Sequence, residues 1–136
     1  MAVEIHVRLR QIAATTTEAV VGPHHVLIDR PVEKGGSGAG PMGGELFLAS
    51  VGGCFMSNLL AAIRAHELPV SDVRTVVTGT VDGAPARFTG IRLHVTAGNA
   101  APDDMKKLVE IADRGCIMMN TLRGTLDVTI QVGSTL

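Results

Sequence analysis

Leu46-Phe47-Leu48-Ala49-Ser50-Val51-Gly52-Gly53-Cys54-Phe55-Met56-Ser57-Asn58-Leu59-Leu60-Ala61-Ala62-Ile63 runs for 18 residues without a charged side chain. Wound at 3.6 residues per turn, it makes a helix that is uncharged on every side. Such a helix crosses a membrane or is enclosed by protein, and this length is at the lower limit for a span. Ser50, Gly52, Gly53, Ser57 and Asn58 dilute its hydrophobicity, and each glycine costs about 1 kcal/mol relative to alanine. No lysine–arginine cluster flanks it to set an orientation. The reading is a buried helix over residues 45–66 and no membrane partner. A chain of 136 residues has difficulty covering a helix on all sides, which predicts a homodimer with this helix near the interface. A monomer whose second helix and sheet do all the covering is the alternative. The pair Gly52-Gly53 marks close approach of another backbone or of a ligand.

Working outward, residues 31–44 contain six glycines, which predicts a loop without regular structure. Gly38-Ala39-Gly40-Pro41-Met42-Gly43 matches the letters of a dinucleotide-binding turn. A helix follows where that motif needs a second strand ending in an acid, and Pro41 lacks an N–H for the pyrophosphate. The loop is instead expected to close over the helix entrance.

Upstream, Val3, Ile5, Val7 and Leu9 alternate with Glu4, His6 and Arg8, which predicts a half-buried strand over residues 3–9. Two shorter strands are expected at 17–22 and 25–30, around Gly22-Pro23. Downstream, strands are predicted at 73–81 and 91–97, with a turn at Asp82-Gly83. A helix over 102–114 opens on Pro102 and Asp103, carries the stripe Met105, Leu108, Val109 and Ala112, and stops at Gly115. A short helix at 116–122 and a last strand at 126–132 complete one α+β domain spanning 1–136, with mainly antiparallel pairing.

With 46% hydrophobic and 18% charged residues, the chain is not intrinsically disordered. The net charge is −1, and nine arginines and three lysines are scattered, so no broad face attracts a phosphate backbone. Phe47, Phe55 and Phe88 are the only aromatics, too few to stack bases, and nucleic acid is excluded as a partner. Met1-Ala2-Val3-Glu4 has neither the basic nor the apolar region of a secretory signal, so a cytoplasmic location is expected. His24 and His25 are adjacent and would point to opposite faces of a strand, while His6 and His94 lie on polar faces. No histidine has a second ligand at metal spacing, and no metal is expected.

Cys54 and Cys116 stand 62 positions apart, which fits neither a zinc motif nor a CxxC motif. Two cysteines in a reducing compartment are inert core residues or a reactive pair, and the spacing leaves both open. A disulfide between them needs α-carbons within about 7 Å.

Gly35-Gly36, Gly40-Pro41 and Glu45-Leu46-Phe47-Leu48-Ala49-Ser50-Val51-Gly52-Gly53-Cys54 resemble the first cysteine motif of the OsmC/Ohr family, the osmotically inducible and organic hydroperoxide resistance proteins. Cys116-Ile117-Met118-Met119-Asn120-Thr121-Leu122 resembles the second, and His25, Asp29, Arg30 and Pro31 fit the approach to the first. The chain looks closer to the broad OsmC-like branch. The resemblance implies an intertwined α+β homodimer, with mainly antiparallel curved sheets around long central helices. It implies thiol-dependent reduction of organic hydroperoxides, with Cys54 as peroxidatic and Cys116 as resolving cysteine. A dithiol, such as a lipoyl group, would recharge the pair, and no cofactor is implied. Phe55, Met118 and Met119 suit either an alkyl tail or plain core.

In the hydroperoxide-resistance branch an N-terminal arginine activates the thiol and a glutamate ten residues before the cysteine holds it. Here that position is Gly44, and the nearby acid is Glu45, nine residues before Cys54. Glu45 is a candidate catalytic residue by this resemblance. Nine helical steps put it about 180° from Cys54, and a carboxylate at a helix start stabilises by roughly 0.3–1 kcal/mol, which favours capping. The loop expected to carry the arginine reads Ala14-Thr15-Thr16-Thr17-Glu18, leaving Arg8, Arg10, Arg30 and Arg114 as candidates by residue type alone. A second reading is a non-catalytic dimeric module that binds a small apolar ligand or senses redox state.

Overall fold

Alternation makes a strand only where a neighbouring edge accepts its hydrogen bonds, and the N-terminal segment shows this. The computed structural model describes residues 1–133. Its first strand, β1, is Arg8–Gln11, followed by β2 (Thr17–Val21) and β3 (His24–Ile28) in an antiparallel sheet of order β1-β2-β3. Arg8 pairs with Val20, at the end of β2, so residues before Arg8 have almost no β2 left to pair with. The strand expected over 3–9 therefore forms only from Arg8 onward. Val3 and Ile5 are 84% and 83% exposed, with their apolar alternation unused.

The glycine-rich loop is ordered around one carboxylate. Asp29, 3% exposed, accepts hydrogen bonds from Thr16 Oγ1 (3.0 Å), Arg30 N (2.7 Å), Ser37 N (3.3 Å), Ser37 Oγ and Ala39 N (3.2 Å). The Ser37 hydroxyl does most to hold this carboxyl well below the usual range, and the Ala39 and Arg30 amides add to it against burial. A β-carbon on Gly36 or Gly40 would strike the backbone oxygen of Arg30 or Leu27. The glycines do not forbid regular structure here: Val32–Lys34 is one turn of 3-10 helix, with Lys34 N donating to Pro31 O at 2.9 Å.

The long helix, α1, is Gly43–Ala65. The chain divides into two compact units, Met1–Phe47 and a second from Leu48 onward. The second unit contains β4 (Ser71–Asp82), β5 (Arg87–Gly98), α2 (Pro102–Gly115), α3 (Ile117–Leu122) and β6 (Asp127–Val132). β4 and β5 pair antiparallel, but β6 lies parallel to β5, from Gly90 opposite Asp127 to Val95 opposite Val132. The pairing is mainly antiparallel, as expected, and β6 is the exception because α2 and α3 form a crossover, which returns the chain in the same direction. As the central strand, β5 buries its inward alternates Ile91, Leu93 and Val95 to 2% exposure or less. Met105, Leu108, Val109 and Ala112 of α2 are buried with them, as their helical stripe predicts.

α1 buries Val51, Gly52, Phe55, Leu59, Ala62 and Ile63. Ala49, Ser50, Gly53, Ser57, Leu60, Ala61 and Arg64 are exposed in the single chain, and this is the remainder that the expected second copy would cover. The glycine pair splits between the two sides. A β-carbon on Gly52 would meet Val77 Cγ2 at 2.7 Å, whereas one on Gly53 would meet nothing within 4 Å. Gly52 thus lets α1 lie close to β4.

Candidate active site

Cys54 sits midway along α1 and is partly exposed; Cys116 is fully buried at the corner between α2 and α3. Cys116 is extended (φ −84°, ψ 117°), so it leaves one helix and enters the next. Its N–H donates to Asp113 O at 3.2 Å, and its carbonyl accepts from Asn120 N at 3.0 Å. This corner brings the Cys116 thiol to 3.1 Å from Cys54 Sγ, where it donates a hydrogen bond. Both cysteines are free thiols.

The two sulfurs are electrostatically unequal. Burial by itself would push the Cys54 thiol up, but the backbone amide of Met118, the Cys116 thiol and the amide of Ile117 together bring it below its ordinary value. The first amides of a helix have no carbonyl partner within it, so the opening turn of α3 has donors to spare. Cys116 is pushed up, first by burial and then by the neighbouring Cys54 sulfur, against the Met119 amide. Cys54 is therefore the sulfur that ionises first.

α3 has six residues, too few to stand without tertiary support. Arg123 ties it down: its guanidinium pairs with Asp113 and donates to Asn120 Oδ1 at 2.9 Å. Asn120 Nδ2 in turn donates to Arg114 O at 3.1 Å. On α1, Asn58 Nδ2 donates to Cys54 O at 2.9 Å and stands 4.0 Å from Cys54 Sγ.

The sequence named both cysteines but not the groups that make them unequal. Reading residues 116–122 as one helix placed Cys116 inside it. Cys116 is in fact its N-cap, and that position aims the next amides at a neighbour. Arg114 contributes a backbone carbonyl to the corner. Arg10, in the first unit, is paired with Glu18 at 2.9 Å, and Arg8 and Arg30 are exposed. Glu45 Oε1 accepts from Met42 N at 2.9 Å, the reach-back of a capping box at the start of α1. Phe55 and Met119 are buried at 0% and 1% exposure as core, and Met118 is half-buried. Among the described residues, no three histidine, cysteine or acidic side chains gather as metal ligands.

The model of the family described as OsmC-like protein matches residues 35–131. No curated protein sequence matches the chain. A hypothetical protein from Aquifex aeolicus VF5 superposes with TM-score 0.84 at 16% identity, over 99% of this chain and 98% of its own. An organic hydroperoxide resistance protein OsmC from Legionella pneumophila gives 0.75 at 22% identity, over 98% and 100%. The organic hydroperoxide resistance protein OhrB of Bacillus subtilis gives 0.70 at 20% identity, over 96% and 98%. At these identities the structural likeness is one of fold. The family match is independent of it and takes in both cysteine segments, so the chain belongs to the OsmC-like protein family.

Proposed function

We propose that this protein is a thiol-dependent peroxidase that reduces organic hydroperoxides through Cys54 and Cys116. The observation that carries the reading is the 3.1 Å sulfur pair, in which one thiol is lowered in pKa and the other raised. The Cys54 thiolate attacks the distal peroxide oxygen, the O–O bond breaks, and the departing alkoxide takes up a proton to leave as alcohol. Cys54 is then a sulfenic acid. The Cys116 sulfur attacks it, the S–S bond forms, and hydroxide leaves with the Cys116 proton as water. An external dithiol returns two electrons by thiol–disulfide exchange, leaving as its own disulfide. Closing from 3.1 Å to a disulfide requires the sulfurs to approach by about 1 Å, within reach of side-chain rotation.

In this reading Glu45 caps α1 and does not touch the reactants. A second copy of the chain supplies the cover that α1 lacks along Ala49, Gly53, Ser57 and Leu60. The cycle belongs in the cytoplasm, where thiols are kept reduced.

The test is steady-state consumption of cumene hydroperoxide with dihydrolipoamide. Wild type turns over, Cys54→Ser does not, and Cys116→Ser is oxidised once and then stalls. Equal, slow consumption by wild type and Cys54→Ser overturns the reading in favour of a binding module.

A further inference from the structure

We infer that Asn58 is a positioning residue of this site, whose carboxamide keeps an N–H donor on the Cys54 sulfur while packed against the chain leading into Cys116. The inference rests on the reading of Cys54 as the reacting thiol.

Asparagine is a poor residue for a helix interior, because its side chain competes for backbone groups. Here one stands within the uncharged run of α1, four residues after Cys54 and so on the same face. Its side chain is committed: Nδ2 donates to the Cys54 carbonyl at 2.9 Å, which fixes the carboxamide plane. A primary amide has two N–H groups, so one remains, and the same nitrogen lies 4.0 Å from Cys54 Sγ. That distance is the outer limit for a neutral thiol. A thiolate or a sulfenate is a stronger acceptor and draws the donor in.

The other end of the carboxamide reaches the second cysteine segment. A β-carbon on Gly115 would come within 3.3 Å of Asn58 Oδ1. Gly115 directly precedes Cys116, so this glycine leaves room for the side chain that lies beside the Cys54 sulfur. Asn58 thereby adds a side-chain donor to the Ile117 and Met118 amides, and it comes from a different element.

The experiment measures alkylation of Cys54 by iodoacetamide against pH in Cys116→Ser protein, with folding checked by thermal melting. Asn58→Ala, a good helix former, is expected to raise the Cys54 midpoint by roughly 0.5–1 pH unit. Asn58→Asp, with the same shape but an added negative charge, is expected to raise it further. Gly115→Ala, which crowds Oδ1 and leaves Asn58 in the chain, is expected to give a smaller rise. An unchanged midpoint in folded Asn58→Ala overturns the inference, as does an unchanged or lower midpoint in Asn58→Asp. Alkylation needs no peroxide turnover. A peroxide-inactive wild type that shows the Asn58 shift sinks the peroxidase reading and leaves the positioning role standing.

Discussion

The Cys116 thiol donates to Cys54 Sγ across 3.1 Å although the two stand 62 positions apart in the chain. The asymmetry of this bond orders the chemistry. The acceptor sulfur sits under the amides of α3 and is the more acidic, while the donor is fully buried and the less acidic.

The order of ionisation can be read directly. A depressed thiol pKa means the reactive anion is present above that pKa and is lost as pH falls through it. Peroxidase rate and Cys54 alkylation should therefore rise together with pH, with a midpoint below the roughly 8.5 of free cysteine. Cys116, measured in Cys54→Ser protein, should alkylate more slowly than free cysteine at neutral pH. Peptide mapping after brief iodoacetamide treatment checks both expectations.

Loosening the α3 corner should affect acidity more than stability. The Arg123–Asp113 pair is partly exposed, and such pairs contribute about 0–1 kcal/mol. Arg123→Ala should lower the melting temperature only slightly while moving the Cys54 midpoint upward, because the Ile117 and Met118 amides are no longer held on the sulfur. Arg123→Lys keeps the charge but loses the fork that reaches both Asp113 and Asn120, and should resemble the alanine variant.

The approach of α1 to β4 depends on the missing side chain of Gly52. Gly52→Ala should destabilise by about 1–3 kcal/mol in urea unfolding, because its β-carbon overlaps Val77. Adding Val77→Ala should restore part of that loss by removing the methyl it strikes. Equal losses in the single and double variants would show that Val77 is not what confines the helix.

Asp29 makes the glycine-rich loop sensitive to acid. Its folded pKa is depressed, so its contribution to stability is present above the unfolded pKa of about 3.9 and is lost as pH falls below it. Asp29→Asn should melt several degrees lower than wild type at neutral pH, and the difference should shrink in acid. Paired thermal melts across pH 3–7 (a range reaching below the unfolded value) check the slope.

The exposed side of α1 makes the assembly testable. Leu60 is 50% exposed on a helix without charge from Leu46 to Ile63. Wild type should sediment as a dimer, and Leu60→Glu should shift it toward monomer by placing a charge in the covered face. A wild-type monomer at micromolar concentration would refute the second copy.

The sequence alone determined what depends on near neighbours. The helical stripe of α2, the alternation of β5 and the acid at the start of α1 are set by spacings of two to four residues, and each formed as its pattern required. The segment at 3–9 has an equally clear alternation, yet most of it stayed unpaired, because a strand also needs an edge and β2 ends too early. The same limit applies at the sulfurs. Each cysteine's context was legible, but only the α2–α3 crossover placed one beside the other, with the α3 amides on Cys54. Side-chain period is a local property, whereas acidity and proximity depend on groups that the chain joins only by folding.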